Sequence, residues 1–437
     1  MDKVTIRGRS LIFDNQELKL KGMGVGSWLN LEHFMMGMPG VDRMIRQAMD
    51  RRCPGLMEAV EDSFFTDEDA AYLTGLGINF IRVPFRSGLL VDEVTGRLRP
   101  AGRDRLARLG EICDRNRLFF MPDLHAVPGG QNPDWHSGSE TGSAEFWRYR
   151  ALRDQAVTVW REAAHALAGC RYLLGYDLLN EPVLPDGDKA LLNDFHLRAA
   201  EAIRQEDSEH LLLVEGGRFA MDFEGVCLPD RGKSAYTYHF YPAVWDDSLN
   251  DPQLPAEKRS ARIAAAHERV MDTMGDYGGP LLCGETGYEL FEDEARGLQM
   301  LDETVEVLER RGASWCLWAY KDTGVMGLLS PAEDSAWMRC VNRIAESWSH
   351  HGDMRYGDTL ARRIAKEHFG SLTEDEIYQL QFRLRAALFQ PEADEWIAPA
   401  LQALTEQEAV SMGDDFSFSR CVVRRAYEAF LRKHAAG

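Results

Sequence analysis

Cysteine is sparse in this chain: 8 among 437 residues, scattered, with no C-x-x-C pair. That spacing excludes a disulfide scaffold and a thiolate zinc ribbon. Cys283 and Cys316 lie inside apolar runs and read as small core side chains. Long apolar stretches are missing too. None approaches the roughly 18 residues that a membrane span requires, so no membrane partner is expected. Basic residues are outnumbered, 50 Lys and Arg against 70 Asp and Glu, for a formal net charge of −20. Nucleic acid and anionic lipid surfaces demand basic patches, and this balance argues against both. The opening Met1-Asp2-Lys3-Val4-Thr5-Ile6-Arg7 has no apolar stretch of the kind a secretory leader carries. A cytoplasmic, reducing setting is the expectation.

What the chain does have is a hydrophobic content of 45%, enough for a large core. Eight short runs read as strands: 19–25, 78–85, 118–125, 172–181, 211–215, 234–241, 280–285 and 313–320. Most are continuously apolar rather than alternating, as parallel strands covered on both faces must be. Helical spacing fills the intervals. Thr66-Asp67-Glu68-Asp69 opens one helix and Gly75 and Gly77 close it; 151–167 and 293–311 are others. Strand alternating with helix eight times predicts a (β/α)8 barrel over 1–349. Before it, 4–18 reads as a hairpin turning at Asp14-Asn15. An excursion at 35–63 holds a helical piece near Met44–Met49 and walls the barrel mouth. After a polar break at 349–357, residues 350–437 form a helical extension. Its first helix starts at the capping box Thr373-Glu374-Asp375-Glu376 and carries an Ile377, Leu380, Leu384, Leu388 stripe. Ile397, Leu401 and Leu404 repeat the stripe, and 416–431 supplies a last helix. The extension packs on the barrel; its stripes suit bracing the barrel or a homo-oligomer contact equally.

Two acids stand where buried strands meet solvent. Asn180-Glu181-Pro182 ends the fourth run, and Gly284-Glu285-Thr286-Gly287 ends the seventh. Such barrels do their chemistry at strand C-terminal ends, so both acids face one mouth. Two carboxylates about 5–5.5 Å apart perform retaining glycoside hydrolysis. Glu181 is then the acid/base, held protonated by partial burial and its partner's charge. Glu285 is the nucleophile, kept ionised by surrounding donors. No H-E-x-x-H or i,i+4 histidine pair occurs, so no metal is expected, and Gly129-Gly130 lacks the Walker pattern of a phosphate loop. No cofactor is implied.

These residues make the chain resemble glycoside hydrolase family 5, a family of (β/α)8 retaining glycosidases. The resemblance implies a supporting role for Arg82, in Ile81-Arg82-Val83-Pro84, beneath the nucleophile. It implies that His125 and Asn180 contact the sugar, Asn180 at its 2-hydroxyl. His239 and Tyr241 then flank the nucleophile, and Trp318 forms the sugar platform. Chemistry agrees. A permanently charged arginine depresses a carboxylate, a tyrosine donates to one, and an indole face suits the C–H side of a sugar. Trp315 lies on the opposite strand face from Trp318.

The segment Gly24-Val25-Gly26-Ser27-Trp28-Leu29-Asn30-Leu31-Glu32 resembles the family's exo-β-1,3-glucanases, as does Asp123-Leu124-His125-Ala126-Val127-Pro128-Gly129-Gly130-Gln131-Asn132. Glu32 then grips the terminal sugar and closes the cleft to a pocket, which implies exo action on small glycosides or oligosaccharides. Trp135 and Trp245, on loops after the third and sixth strands, are placed as a leaving-group subsite, and Lys321 and Asp322 extend toward the pocket. The excursion and the tail, with Phe416-Ser417-Phe418-Ser419-Arg420-Cys421, resemble a less characterised branch of the same family. Arabinofuranoside or galactofuranoside cleavage with the same acids is the alternative substrate reading. A non-catalytic carbohydrate-binding barrel is the alternative class, and it leaves the Arg82 and Tyr241 arrangement without a use. A phosphosugar isomerase or aldolase is disfavoured, because Gly324 and Gly327 are too sparse for its phosphate site.

Overall fold

Asp14 and Asn15 adopt left-handed φ of 49° and 62°. That conformation makes the tight, primed type of turn that joins twisted strands. A second left-handed turn at Gly8 (φ 58°) makes the predicted hairpin a three-stranded antiparallel sheet instead: β1 (Thr5–Arg7), β2 (Ser10–Phe13) and β3 (Gln16–Leu18). The sheet plugs the bottom of the barrel. Val4 and Leu11 pack with Leu20, Phe80, Phe119 and Leu282 at the strand starts, and the Phe13 ring meets Phe119 edge-on at 4.9 Å. The computed structural model describes residues 3–370 and 372–435. Met1 and Asp2 of the opening stretch, Ser371, Ala436 and Gly437 lie outside it.

Each of the eight apolar runs contributes a strand to one closed parallel barrel. They are β4 (Lys21–Gly24), β5 (Phe80–Arg86), β6 (Phe119–Ala126), β7 (Gly175–Asp177), β8 (Leu211–Val214), β9 (Ser234–His239), β10 (Leu282–Gly287) and β11 (Ser314–Trp318). Closure is by Cys316 and Leu317 of β11 against Gly22 and Met23 of β4. The strands are buried on both faces, which is why alternation was absent from the sequence. β7 is shorter than its run. The backbone N–H groups of Leu178 and Asn180 still donate to Leu213 and Leu124 of the two flanking strands (3.0 and 3.1 Å), but Glu181 turns left-handed with φ 48° and leaves the ladder. Outer helices such as Arg150–Leu167 and Glu294–Arg310 complete the (β/α)8 architecture.

The excursion folds as two helices, Asp42–Arg52 and Leu56–Phe64. The predicted polar break is itself a helix, His350–Ile364. Ser349 caps it by accepting the Gly352 N–H (3.0 Å), and Asp353, Gly357 and Ala361 turn inward. The Thr373 box caps Glu374–Phe389 as its sequence dictates. The last helix begins only at Arg425, because Cys421–Val423 (β13) pairs antiparallel with Leu329–Pro331 (β12). Lys321 locks the excursion, barrel and tail together: its buried Nζ donates to the carbonyls of Phe64 (2.6 Å) and Phe416 (2.8 Å) and meets Asp69. A buried ammonium is tolerable only when so satisfied. Among the described residues, no helix is long and apolar enough to cross a membrane.

Candidate active site

Arg82, on β5 and wholly buried, is the hub of the barrel mouth. Nε donates to Asp177 (2.8 Å), Nη2 to Asn180 Oδ1 and Glu215 Oε1 (2.9 Å each), and Nη1 to Glu285. Asp123 Oδ1 lies 3.1 Å from Nη2. Burial alone would lower the guanidinium pKa; the encircling acids raise it well above its usual value. Burial and Glu215 in turn push the Asp177 carboxyl well above its usual range.

Glu181 and Glu285 meet across His239. One carboxylate oxygen of each and a ring nitrogen of His239 all lie within 4.8 Å of one another. His239 Nδ1 is 2.8 Å from Glu181 Oε1 and 3.5 Å from Glu285 Oε2. Tyr241 Oη donates to Glu285 Oε2 at 2.9 Å. Glu181 Oε2 lies 3.1 Å from His136 Nε2, and its backbone N–H donates to Glu215 Oε2 (2.6 Å), which holds the left-handed turn in place.

The two carboxyl pKa values shift in directions opposite to those expected. Burial raises the Glu181 carboxyl, but His136 and His239 outweigh it and hold it below its ordinary range. Burial raises Glu285, and His239 and Arg82 oppose without cancelling it. The expectation weighed partial burial, the two acids, Arg82 and Tyr241, and gave the imidazoles no part in the proton balance. The imidazoles change the outcome: neighbouring acids overcome burial and lift His136 and His239 well above the usual histidine value.

A second wall faces the pair. The Trp318 and His125 rings lie parallel, interplanar angle 2°, with centroids 5.9 Å apart. Gly24 and Gly26 create the Trp318 slot, since a Cβ at either would sit 2.4 Å from the indole. His125 Nδ1 pairs with Asp123 (2.6 Å) and Nε2 lies 3.4 Å from Glu32 Oε1. Burial lowers the His125 pKa, and these two acids more than reverse that, taking it to about 9. The Asn180 Nδ2 group is buried with no protein partner. Such a donor awaits a ligand acceptor.

Several residues fall elsewhere than predicted. Trp135 is no exposed subsite. It is buried beneath the Arg385 guanidinium, 4.4 Å from its ring, because the helical tail covers that loop. Trp245 does sit half-exposed at the rim, 6.0 Å from Phe219. Phe219 belongs to a run of left-handed residues, Arg218 to Ala220 (φ 52–61°), and faces Tyr378 of the tail. Lys321 points into the excursion and tail contact, and Asp322 accepts the N–H groups of Gly324, Val325 and Met326 to close a turn. Trp315 lies as expected on the opposite face from Trp318, where its Nε1 donates to Glu309.

Glu215 and His136 were missed. Glu215 ends its apolar run just as Glu181 and Glu285 end theirs, and that signal was available. His136 comes from a loop with no pattern of its own. Among the described residues, two sets of donors are close enough to share a cation: Glu181, His239 and Glu285, and Asp123, Asp177 and Glu215. Arg82 already bonds all three acids of the second set, so a guanidinium supplies its positive charge.

Comparison with known proteins places this geometry in context. The family model described as Cellulase (glycosyl hydrolase family 5) matches residues 55–324. A beta-xylosidase of Phanerodontia chrysosporium is 31% identical, across 97% of this chain and 96% of its own length. Glucan 1,3-beta-glucosidase 1 of Schizosaccharomyces pombe is 23% identical across 74% of this chain and 89% of its own. A solved endoglucanase of Pseudomonas stutzeri shares the fold, with a TM-score of 0.50 at 20% identity over 76% of this chain and 91% of its own. A barrel with this sequence kinship over nearly its whole length belongs to glycoside hydrolase family 5 and is a glycoside hydrolase.

Proposed function

We propose that this glycoside hydrolase is a retaining, exo-acting β-glycosidase that removes a terminal glucose or xylose from small glycosides, with Glu285 as nucleophile and Glu181 as acid/base. The observation that carries the reading is the approach of one carboxylate oxygen of each to within 4.8 Å of the other. Inverting pairs stand about 6.5–9.5 Å apart to admit a water, and retaining pairs about 5–5.5 Å.

In the first step Glu285 attacks the anomeric carbon while the glycosidic bond breaks and the leaving oxygen takes a proton from Glu181. A bound sugar expels water, which favours neutral carboxyls, and His136, 3.1 Å away, is the nearby proton source. In the second step Glu181, now ionised, takes a proton from the water that releases the sugar. Tyr241 and Arg82 hold the Glu285 oxygens in line for attack. The unpartnered Asn180 Nδ2 suits a sugar 2-hydroxyl, where a bond strengthens as charge develops.

Exo action follows from reading Glu32, His125 and Trp318 as a closed end: His125 Nε2 lies 3.4 Å from Glu32 Oε1 and its ring lies parallel to Trp318. Trp245, Phe219 and Tyr378 form a partly exposed aromatic cluster that suits a leaving group. The choice of glucose or xylose rests on the names of the relatives above. A panel of aryl β-glucoside, β-xyloside, β-galactoside, α-arabinofuranoside and β-galactofuranoside tests it. Turnover of the first two with single-sugar release from the corresponding oligosaccharides is expected; a furanoside preference, or internal cleavage, contradicts the reading.

A further inference from the structure

The helix Glu374–Phe389 lies directly on the loop that carries His136. Gly142 has no room for a Cβ, which would sit 2.5 Å from the Phe382 and Arg383 backbone. Arg383 Nε donates to Ser143 (3.1 Å), and Gln390 donates to the Glu140 carbonyl (2.7 Å). Between these clamps, the buried Arg385 spreads over Trp135 and donates from Nη2 to Asp134 Oδ1. Asp134 also accepts the Trp135 N–H (2.6 Å), and its Oδ2 lies 3.7 Å from His136 Nδ1. His136 Nε2 then faces Glu181. A continuous polar chain thus runs from the tail to one carboxylate of the pair.

Asn132 sets the sense of that chain. Its Oδ1 accepts the Asp134 N–H (3.0 Å), which fixes the amide. Its Nδ2 therefore points at both the Glu181 carbonyl (3.0 Å) and His136 Nε2 (3.0 Å). An amide hydrogen aimed at Nε2 wants a lone pair there. Asp134 pulls the other way, since a carboxylate near Nδ1 favours the doubly protonated ring. Arg385 neutralises Asp134 and weakens that pull. His33 also faces Asp134, while His239 and Glu285 face Glu181 and the His125 ring lies 5.7 Å from His136.

We propose that Arg385, from the helical extension, is a positioning residue for acid catalysis: by occupying Asp134 it lets the single proton shared between His136 Nε2 and Glu181 Oε2 reside on Glu181 when the leaving group needs it. The transfer breaks the Nε2–H bond and forms the Oε2–H bond, leaving neutral imidazole and neutral carboxyl. The inference rests on Glu181 being the acid/base, and it gives the extension a part in the reaction.

The test compares a phenyl and a 2,4-dinitrophenyl β-glycoside of whichever sugar the enzyme accepts, since only the phenyl leaving group needs a proton. Arg385→Met leaves Asp134 unpaired beside His136. It is expected to cut kcat/KM on the phenyl glycoside by about tenfold to a hundredfold, with little change on the dinitrophenyl one. Arg385→Lys keeps the charge and is expected to recover most of the loss. The double variant Arg385→Met with Asp134→Asn removes the unpaired carboxylate as well, folds without a buried lone charge, and is expected to regain the phenyl-glycoside rate. An equal fall on both substrates, or no recovery in the double variant, overturns the proposal. Glu181→Ala runs alongside. If it shows no leaving-group discrimination, the assignment of Glu181 fails; if it discriminates and Arg385→Met does not, only the role of Arg385 fails.

Discussion

Tyr241 Oη donates to Glu285 Oε2 at 2.9 Å, from the segment just past β9 to the middle of β10. Burial and the nearby Glu285 carboxylate lift the phenol well above its usual pKa, so it remains a donor at any working pH. Tyr241→Phe keeps the ring and removes the bond. A hydrogen bond to a charged group is worth about 1.5–3 kcal/mol, so kcat/KM is expected to fall about tenfold to a hundredfold while the melting temperature barely moves. Steady-state kinetics on an aryl glycoside checks this.

Gly26 exists to make room. A Cβ there would lie 2.4 Å from Trp318 Cζ2 and 2.5 Å from Cη2, closer than any contact that survives without movement. Gly26→Ala is expected to displace the indole from its place against His125, raise KM, and leave a folded barrel. Circular dichroism with kinetics tests the pair of outcomes; unchanged KM would mean that Trp318 is not a sugar platform.

Arg82 balances four buried acids. Removing one partner of a buried ionic network costs about 3–5 kcal/mol, because the remaining charges stay uncompensated. Arg82→Met is therefore expected to lower stability by at least that amount. Chemical denaturation measures it, and a loss below about 1 kcal/mol, the range of a surface ion pair, contradicts the hub described here.

Acid should loosen the junction between tail and barrel mouth. His33 Nε2 and His350 Nδ1 meet at 2.9 Å. Burial, with His350 and Arg385 adding to it, holds His33 well below its usual value; burial and Arg385 bring His350 to about 3. Unfolded histidines titrate near 6.5. Between about pH 6.5 and 3 the unfolded chain therefore binds more protons than the folded one, so stability is full above that window and drains as pH falls through it. The His350 ring contributes at most about 1.4 kcal/mol per pH unit there. Denaturant unfolding at pH 7 and pH 5 should show a smaller acid loss for His350→Gln than for the parent chain.

Much of this molecule is legible in its sequence because its physics is local or periodic. The barrel strands announce themselves as unbroken apolar runs, and the capping boxes at Thr66 and Thr373 as short patterns. Glu181 and Glu285 can be picked out because each ends such a run, and the structure brings them together with Arg82, Asn180, His239 and Tyr241. The rest depends on partners distant in sequence. His136 matters only once its loop folds beside Glu181, and Trp135 is buried only because Arg385, from the tail, lies over it. β13 is three residues long and exists through β12. The helix His350–Ile364 is polar enough to pass for a linker, since its inward positions include Asp353 and Gly357 rather than large apolar side chains. Even the direction of the glutamate pKa values turns on two imidazoles that no local pattern ties to them.

Proton NMR of the first-formed sugar tests the central claim most directly. Two carboxylates this close predict double displacement, so hydrolysis of an aryl β-glycoside must first release the β-anomer, with the α-anomer appearing only by later mutarotation. Release of the α-anomer first would mean direct attack by water, and Glu285 would not be the nucleophile.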